Sequence, residues 1–83
     1  MSAPHPYLSQ EVVDQHLTES EKVMDLCRGQ RDVYIRSLPN AFEARFKYAK
    51  TLHTIRLQVQ ILVDNGELVR TRRGYVSDAS LIT

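Results

Sequence analysis

The sequence predicts one small α+β domain, with a three-helix core, a short three-stranded antiparallel sheet and an extra N-terminal helix. Three observations predict this class. Apolar residues recur at helical spacing in several segments, residues 31–38 alternate with a period of two, and a strand–turn–strand pattern follows the last helix. A chain of 83 residues has room for one domain, and 42% hydrophobic with 25% charged residues is an ordinary globular composition.

The first half of the chain is predicted to contain two helices and one strand. Ser9 can cap a short helix that runs to about Leu17. The segment Thr18-Glu19-Ser20-Glu21 matches a capping box and predicts a helix that ends at Gly29. The alternation over residues 31–38 predicts a short, half-buried strand.

The next predicted element is the second core helix, opened by Pro39-Asn40. Asn40 is the expected cap, with Glu43 three residues later. Phe42, Phe46 and Ala49 recur at helical spacing, so we expect them to form the buried stripe of this helix.

A third core helix and a hairpin complete the predicted domain. Thr51 can cap this helix, and Gly66 supplies the left-handed residue that a helix end prefers. The apolar residues of the helix keep strict i, i+3, i+4, i+7 spacing: Leu52, Ile55, Val59, Leu62 and Val63. Residues 68–70 and 75–76 are predicted strands around the turn 71–74. The domain therefore spans 19–76, between an arm with a short helix (1–18) and a tail (77–83).

Charge is divided unevenly between the two halves. Residues 1–44 hold four Lys/Arg and seven Asp/Glu, a net charge of −3, whereas residues 45–83 hold seven and three, a net charge of +4. The basic residues of the second half are Arg45, Lys47, Lys50, Arg56, Arg70, Arg72 and Arg73. This asymmetry favours a polyanionic partner for one face, and scatter of charges in a small protein is the alternative.

Several function classes find no support in the sequence. Cys27 is the single cysteine, so we expect no internal disulfide and no cysteine-based zinc site. His5, His16 and His53 lack metal-ligand spacing, and there is no phosphate loop or catalytic triad motif, so we expect neither a metal, a cofactor nor an enzyme. No apolar run approaches the ~20 residues of a membrane span, and residues 1–7 do not resemble a signal peptide. A cytoplasmic protein is the expectation.

The order helix, strand, helix, helix, hairpin carries a resemblance to a known family. The residues that match are Ile55, Val59 and Leu62, then Gly66, Leu68 and Val69, then Gly74, Tyr75 and Val76. Over about residues 19–76 the chain resembles the winged helix-turn-helix DNA-binding family, with residues 33–36 as its short first strand. The turn Tyr48–Thr51 lacks the glycine usual in that family, and Ala49 is the small residue available there.

The resemblance implies a function and a set of contacts. The chain would be a DNA-binding protein, such as a small transcriptional regulator or an architectural factor of the excisionase type, acting as a homodimer. The residues from 9 to 17 and from 78 to 83 are the material available for dimerisation. The third core helix would enter the major groove with the residues opposite its core face: His53, Thr54, Arg56, Leu57 and Gln60.

The chemistry of these side chains suggests separate roles. Arg56 could donate two hydrogen bonds to a guanine, and Gln60 could pair with an adenine. The resemblance places Lys47 and Lys50 against phosphates. The hairpin would meet the backbone or a minor groove through Arg70, Arg72 and Arg73. The adjacent arginines near its tip are the strongest indication, because a tip needs no charge to fold; the helix residues could equally form a solvated face.

One feature favours a different class of function. Leu57 and Ile61 lie four residues apart, almost opposite the core face of the third helix, and a helix that is apolar on both sides is usually buried on both sides. The first ~17 residues or a partner protein could cover this second face. The rival hypothesis is therefore a winged-helix protein-interaction module, either an assembly component or an inhibitor of another protein.

Overall fold

The computed structural model describes residues 16–82, which form a three-helix core and one antiparallel sheet. The elements follow in the order α1 (Glu19–Cys27), β1 (Val33–Tyr34), α2 (Leu38–Phe46), α3 (Leu52–Asp64), β2 (Leu68–Arg72) and β3 (Tyr75–Asp78), with 3₁₀ turns at Ile35–Ser37 and Ala79–Leu81. The sheet has the strand order β1-β3-β2. The predicted α+β class with a winged-helix arrangement is therefore confirmed. The helix expected over Ser9–Leu17 falls almost entirely outside the described residues.

The capping box at the start of α1 forms as predicted. The Thr18 hydroxyl accepts a hydrogen bond from the Glu21 backbone N–H at 3.2 Å, and the Glu21 carboxylate accepts one from the Thr18 backbone N–H at 2.7 Å. These bonds satisfy two backbone donors that the helix itself cannot pair, and they lower the pKa of Glu21. Gly29 follows the helix with a positive φ of 74°.

The start of α2 differs from the prediction. The helix begins at Leu38, so Asn40 lies inside it rather than at its cap. Pro39 occupies the first turn, where a missing N–H costs nothing because no intrahelical acceptor exists for it. The preceding strand is also shorter than expected, because the chain turns into a 3₁₀ helix at Ile35, whose side chain remains buried.

The end of α2 contains a second correction. The helix stops at Phe46 and Lys47 takes a left-handed conformation with φ of 70°, so Ala49 lies beyond the helix and is exposed rather than buried. The Tyr48 ring fills the expected place of Ala49, with its centroid 5.2 Å from that of Phe42 in an edge-to-face contact. The turn to α3 thus reverses the chain without a glycine.

α3 supplies the centre of the core, as its spacing predicts. Ile55, Val59 and Leu62 are between 0% and 2% exposed. The Thr51 hydroxyl caps the helix by accepting the Thr54 N–H at 3.2 Å, and Gly66 follows with φ of 79°. The rest of the buried apolar cluster comes from the other elements: Val23, Met24, Cys27, Ile35, Leu38, Phe42, Leu68 and Val76.

The hairpin is longer than predicted at both ends. Its turn contains only Arg73 and Gly74, with a positive φ of 83° at the glycine, and β2 continues through Thr71 and Arg72 with a register shift between Arg70 and Arg72. β3 runs to Asp78, so the tail does not begin at residue 77 as the sequence suggested; Ser77 and Asp78 are both buried. Within the described part of the chain, no helix is long and apolar enough to cross a membrane.

Candidate nucleic-acid interface

An open groove of about 620 Å³ lies between the outer face of α3 and the hairpin. Three separate parts of the chain form its walls. α3 contributes His53, Arg56, Leu57, Val59 and Gln60; the hairpin contributes Arg70, Arg73 and Gly74; and the segment around the end of β1 contributes Tyr34, Ile35 and Arg36. The fold brings these segments together because β1 pairs with β3, which also carries the hairpin turn at its start.

The groove is strongly basic. Arg36, Arg56, Arg70 and Arg73 line it, and none of the lining residues in the described chain is acidic. Within residues 16–82, Arg36, Arg56 and Arg73 make no hydrogen bond, ion pair or ring contact with another residue. Four like charges in a partly enclosed site reinforce one another's field, which attracts a polyanion and raises its rate of association.

The structure places most of the predicted α3 residues in this groove. His53, Arg56, Leu57 and Gln60 all line it. Thr54 does not, because its hydroxyl lies 2.9 Å from that of Thr51 and its backbone N–H bonds to the same hydroxyl. Thr54 therefore belongs to the helix cap.

The two lysines before α3 lie apart from the groove. Lys50 forms an ion pair with Glu19 at the start of α1, and its Nζ also lies 5.6 Å from the centroid of the Tyr48 ring. Lys47 donates from its Nζ to the Ala44 carbonyl at 2.9 Å, closing the end of α2. Both side chains support the turn between α2 and α3, so the expected phosphate contacts gain no support from the geometry.

The three hairpin arginines have three different environments. Arg70 donates from Nη2 to Gln60 Oε1 at 2.7 Å, which joins β2 to α3. The Arg72 guanidinium carbon lies 4.0 Å from the centroid of the Tyr75 ring, and Tyr75 stacks in turn on Tyr34 at 5.0 Å. Arg73 occupies the exposed turn and lines the groove. The adjacent arginines are therefore not equivalent, because Arg72 packs along the sheet and Arg73 does not.

The sequence did not identify Arg36 or Tyr34 as members of the site. Arg36 belongs to the alternating segment and points away from the buried Ile35, so exposure alone was predictable. Its place in the groove depends on the pairing of Val33 with Val76 and of Tyr34 with Tyr75, between segments about forty residues apart. No local pattern carries that information.

The two apolar residues on the outer face of α3 are exposed. Leu57 is 51% exposed and lines the groove, whereas Ile61 is 44% exposed and lies one turn further along, outside it. The described chain thus leaves part of an apolar stripe uncovered beside the basic groove.

A second polar region, between the end of α1 and the end of β3, has the opposite character. Asp78 accepts hydrogen bonds from the Gly29 N–H at 2.7 Å and from the Ser80 N–H and hydroxyl at 3.0 and 2.8 Å, and these bonds lower the pKa of its carboxyl. Cys27 is fully buried beside it, and burial, reinforced by the Asp78 charge, raises the thiol pKa to about 11. In residues 16–82 no group of three or more His, Cys, Asp or Glu side chains could hold a metal ion.

Comparison with known proteins leaves the groove as the main guide to function. No known family, curated protein or solved structure matches this chain. The function is therefore inferred from the geometry and charge of the groove itself.

Proposed function

We propose that this protein binds double-stranded DNA through the groove between α3 and the hairpin, as a small transcriptional regulator. One observation carries the proposal. Four arginines from three separate parts of the chain line this groove, and three of them have no partner within the described residues. Unpaired like charges oppose one another in the folded protein, and phosphates placed between them would relieve that repulsion.

The proposed docking follows from the positions of the side chains. A B-DNA major groove, ~12 Å wide, admits one α-helix, and α3 would enter it with His53, Arg56 and Leu57 towards the base edges. Arg73 at the hairpin turn and Arg36 after β1 would lie against phosphates on either side, which sets the position of the helix without selecting a sequence.

The proposal includes a homodimer and a cytoplasmic location. A single domain with so few contacts binds weakly, and two copies on a two-fold-related site would combine their affinities. The two half-sites would then lie one helical turn of DNA, ~34 Å, or a multiple of it apart. Varying the half-site spacing in a binding assay tests this part of the proposal.

Salt titration of binding to a random duplex tests the main claim. With four phosphate contacts, log K should fall with log[salt] with a slope of about −3 to −4, measured by fluorescence anisotropy. Arg36→Ala with Arg73→Ala should make that slope shallower by about two. Lys47→Ala is the matched control, because it removes an exposed cation outside the groove and should leave the slope unchanged. Absence of binding at low salt would contradict the proposal.

A protein-interaction module is the second candidate, favoured by the exposure of Leu57 and Ile61. An apolar pair on an exposed helix face is a typical anchor for a protein groove. Under this hypothesis, Ile61→Asp should disrupt a complex purified with the native protein and leave the fold intact. DNA affinity distinguishes the two functions, since Ile61 lies outside the basic groove and its substitution should leave duplex binding unchanged apart from about one added charge.

A further inference from the structure

The proposed function leaves open which side chains contact bases, and the contacts of Gln60 bear on this. We propose that Gln60 is a positioning residue that holds Arg70 against the groove, while Arg56 and Leu57 make the base contacts. The preferred duplex then carries a guanine next to a thymine. This inference rests on the proposed DNA binding and departs from the adenine contact that the sequence suggested for Gln60.

Both ends of the Gln60 amide are already engaged. Its Oε1 accepts a hydrogen bond from Arg70 Nη2 at 2.7 Å, and its Nε2 donates one to Asp64 Oδ1 at 2.7 Å. A guanidinium only donates and a carboxylate only accepts, so the partners themselves fix which way the amide points. Each bond has one charged partner, which makes it stronger than a bond between neutral groups. Turning the amide towards a base would therefore break or weaken two good hydrogen bonds.

The Arg70–Gln60 bond joins two elements that form opposite walls of the groove. Gln60 lies on α3 and Arg70 on β2, next to the register shift that separates Arg70 from Arg72. A long exposed arginine otherwise samples many rotamers, and ordering it on binding costs free energy. The bond to Gln60 orders the guanidinium beforehand, so Gln60 would act on affinity through Arg70.

The groove then leaves few groups for base contacts. Gln60 is held by its two partners and Ile61 lies outside the groove, so Arg56 and Leu57 remain as neighbouring outward side chains in the middle of α3. An arginine suits the two acceptors on the major-groove edge of guanine, and an apolar side chain suits the thymine methyl group. Adjacent positions on one helix face would meet adjacent base pairs, which gives the proposed guanine–thymine step.

The positioning role is tested by substituting Gln60 and Arg70 separately and together. Gln60→Leu should weaken binding to every duplex by the same factor, about threefold to tenfold, and make the salt slope shallower by up to one, as loss of one phosphate contact does. Adding it to Arg70→Ala should cause no further loss. Gln58→Leu is the matched control, because Gln58 is a glutamine of α3 that does not line the groove and should bind like the wild type.

The base contacts are tested on duplexes in which single base pairs are changed. Arg56→Ala should abolish a guanine preference of about 5-fold to 150-fold at one position. Replacing the adjacent thymine with uracil removes only the methyl group; this should weaken binding of the wild type but not of Leu57→Ala.

Three results would contradict this inference, and they separate it from the proposed function. A selective change of preference at one base pair in Gln60→Leu would show that Gln60 contacts a base, and a salt slope unaltered by that substitution would show that it does not act through Arg70. Either result leaves DNA binding intact. Absence of duplex binding by the wild-type protein would overturn both proposals together.

Discussion

The groove and the junction between α1 and β3 are both polar, yet they treat their polar groups in opposite ways. At the junction, the Asp78 carboxylate accepts three hydrogen bonds, and the Ser77 hydroxyl accepts the Asp32 N–H at 2.8 Å. In the groove, Arg36, Arg56 and Arg73 have no partner within the described residues. Polar groups that hold a fold together are paired, because leaving them unpaired costs free energy when they are buried. The unpaired groove arginines therefore contribute little to folding and are available to a ligand.

The strongest way to break this comparison is to remove all four groove arginines. The variant with Ala at positions 36, 56, 70 and 73 should bind duplex DNA about a thousandfold more weakly at 0.1 M salt, because each lost phosphate contact costs roughly tenfold there. Its free energy of unfolding, measured with urea, should stay within ~1–2 kcal/mol of the wild type, since only Arg70 has an internal bond. Unfolding of this variant would show that the groove arginines serve the fold.

Alkylation of Cys27 sharpens the junction side of the comparison. The buried thiol has a pKa raised to about 11, so at pH 8 its thiolate fraction should be about a hundredfold lower than that of a cysteine with pKa 9. Iodoacetamide should therefore label the folded protein at least that much more slowly than the urea-unfolded protein, as followed by mass spectrometry. Equal rates in both states would mean that the junction opens readily in solution.

Two neighbouring arginines on the hairpin provide a smaller and more local test. Arg73→Ala should weaken duplex binding roughly tenfold at 0.1 M salt and leave stability unchanged. Arg72→Ala should instead remove the stacking on Tyr75 and lower the free energy of unfolding by about 0.5–1 kcal/mol, with a smaller effect on binding. Anisotropy and urea titrations of both variants check this, and an equal loss of affinity in the two would contradict the distinction between them.

The acid response of the junction is the smallest expected effect. Hydrogen bonds from Gly29 and Ser80 stabilise the charged form of Asp78 and place its pKa below the usual 3.8. Its contribution to stability is therefore complete above about pH 4 and is lost as the pH falls through the lowered pKa. Asp78→Asn should make stability less dependent on pH below 4 in urea titrations, and Glu21 accounts for part of the dependence that remains. An unchanged acid profile would contradict this account.

The features that sequence reasoning predicted correctly depend on local order. The Thr18 capping box, the buried face of α3 and the positive φ of Gly66 each follow from residues within a few positions of one another. The start of α2 failed although it is local, because Pro39 is tolerated in a first helical turn as well as before a helix. Ala49 failed because Lys47 adopts a left-handed conformation, which lysine rarely does.

The site was harder to predict because it depends on distant pairs. A helical wheel was sufficient to bring His53, Arg56, Leu57 and Gln60 to one face. It could not show that Arg36 would join them through β1–β3 pairing. Nor could it show that Gln60 would bond to Arg70, or that Lys50 would pair with Glu19.

NMR chemical-shift mapping with a short duplex tests the central claim most directly, because it reports on both regions in one titration. We expect shifts at the groove, in the Arg36, Arg56 and Arg73 side chains and in the amides around Leu57, with no change at Gly29, Asp78 and Ser80. Raising the salt concentration should reverse the groove shifts as the phosphate contacts are lost. Shifts centred on the junction, or no shifts at low salt, would contradict the account.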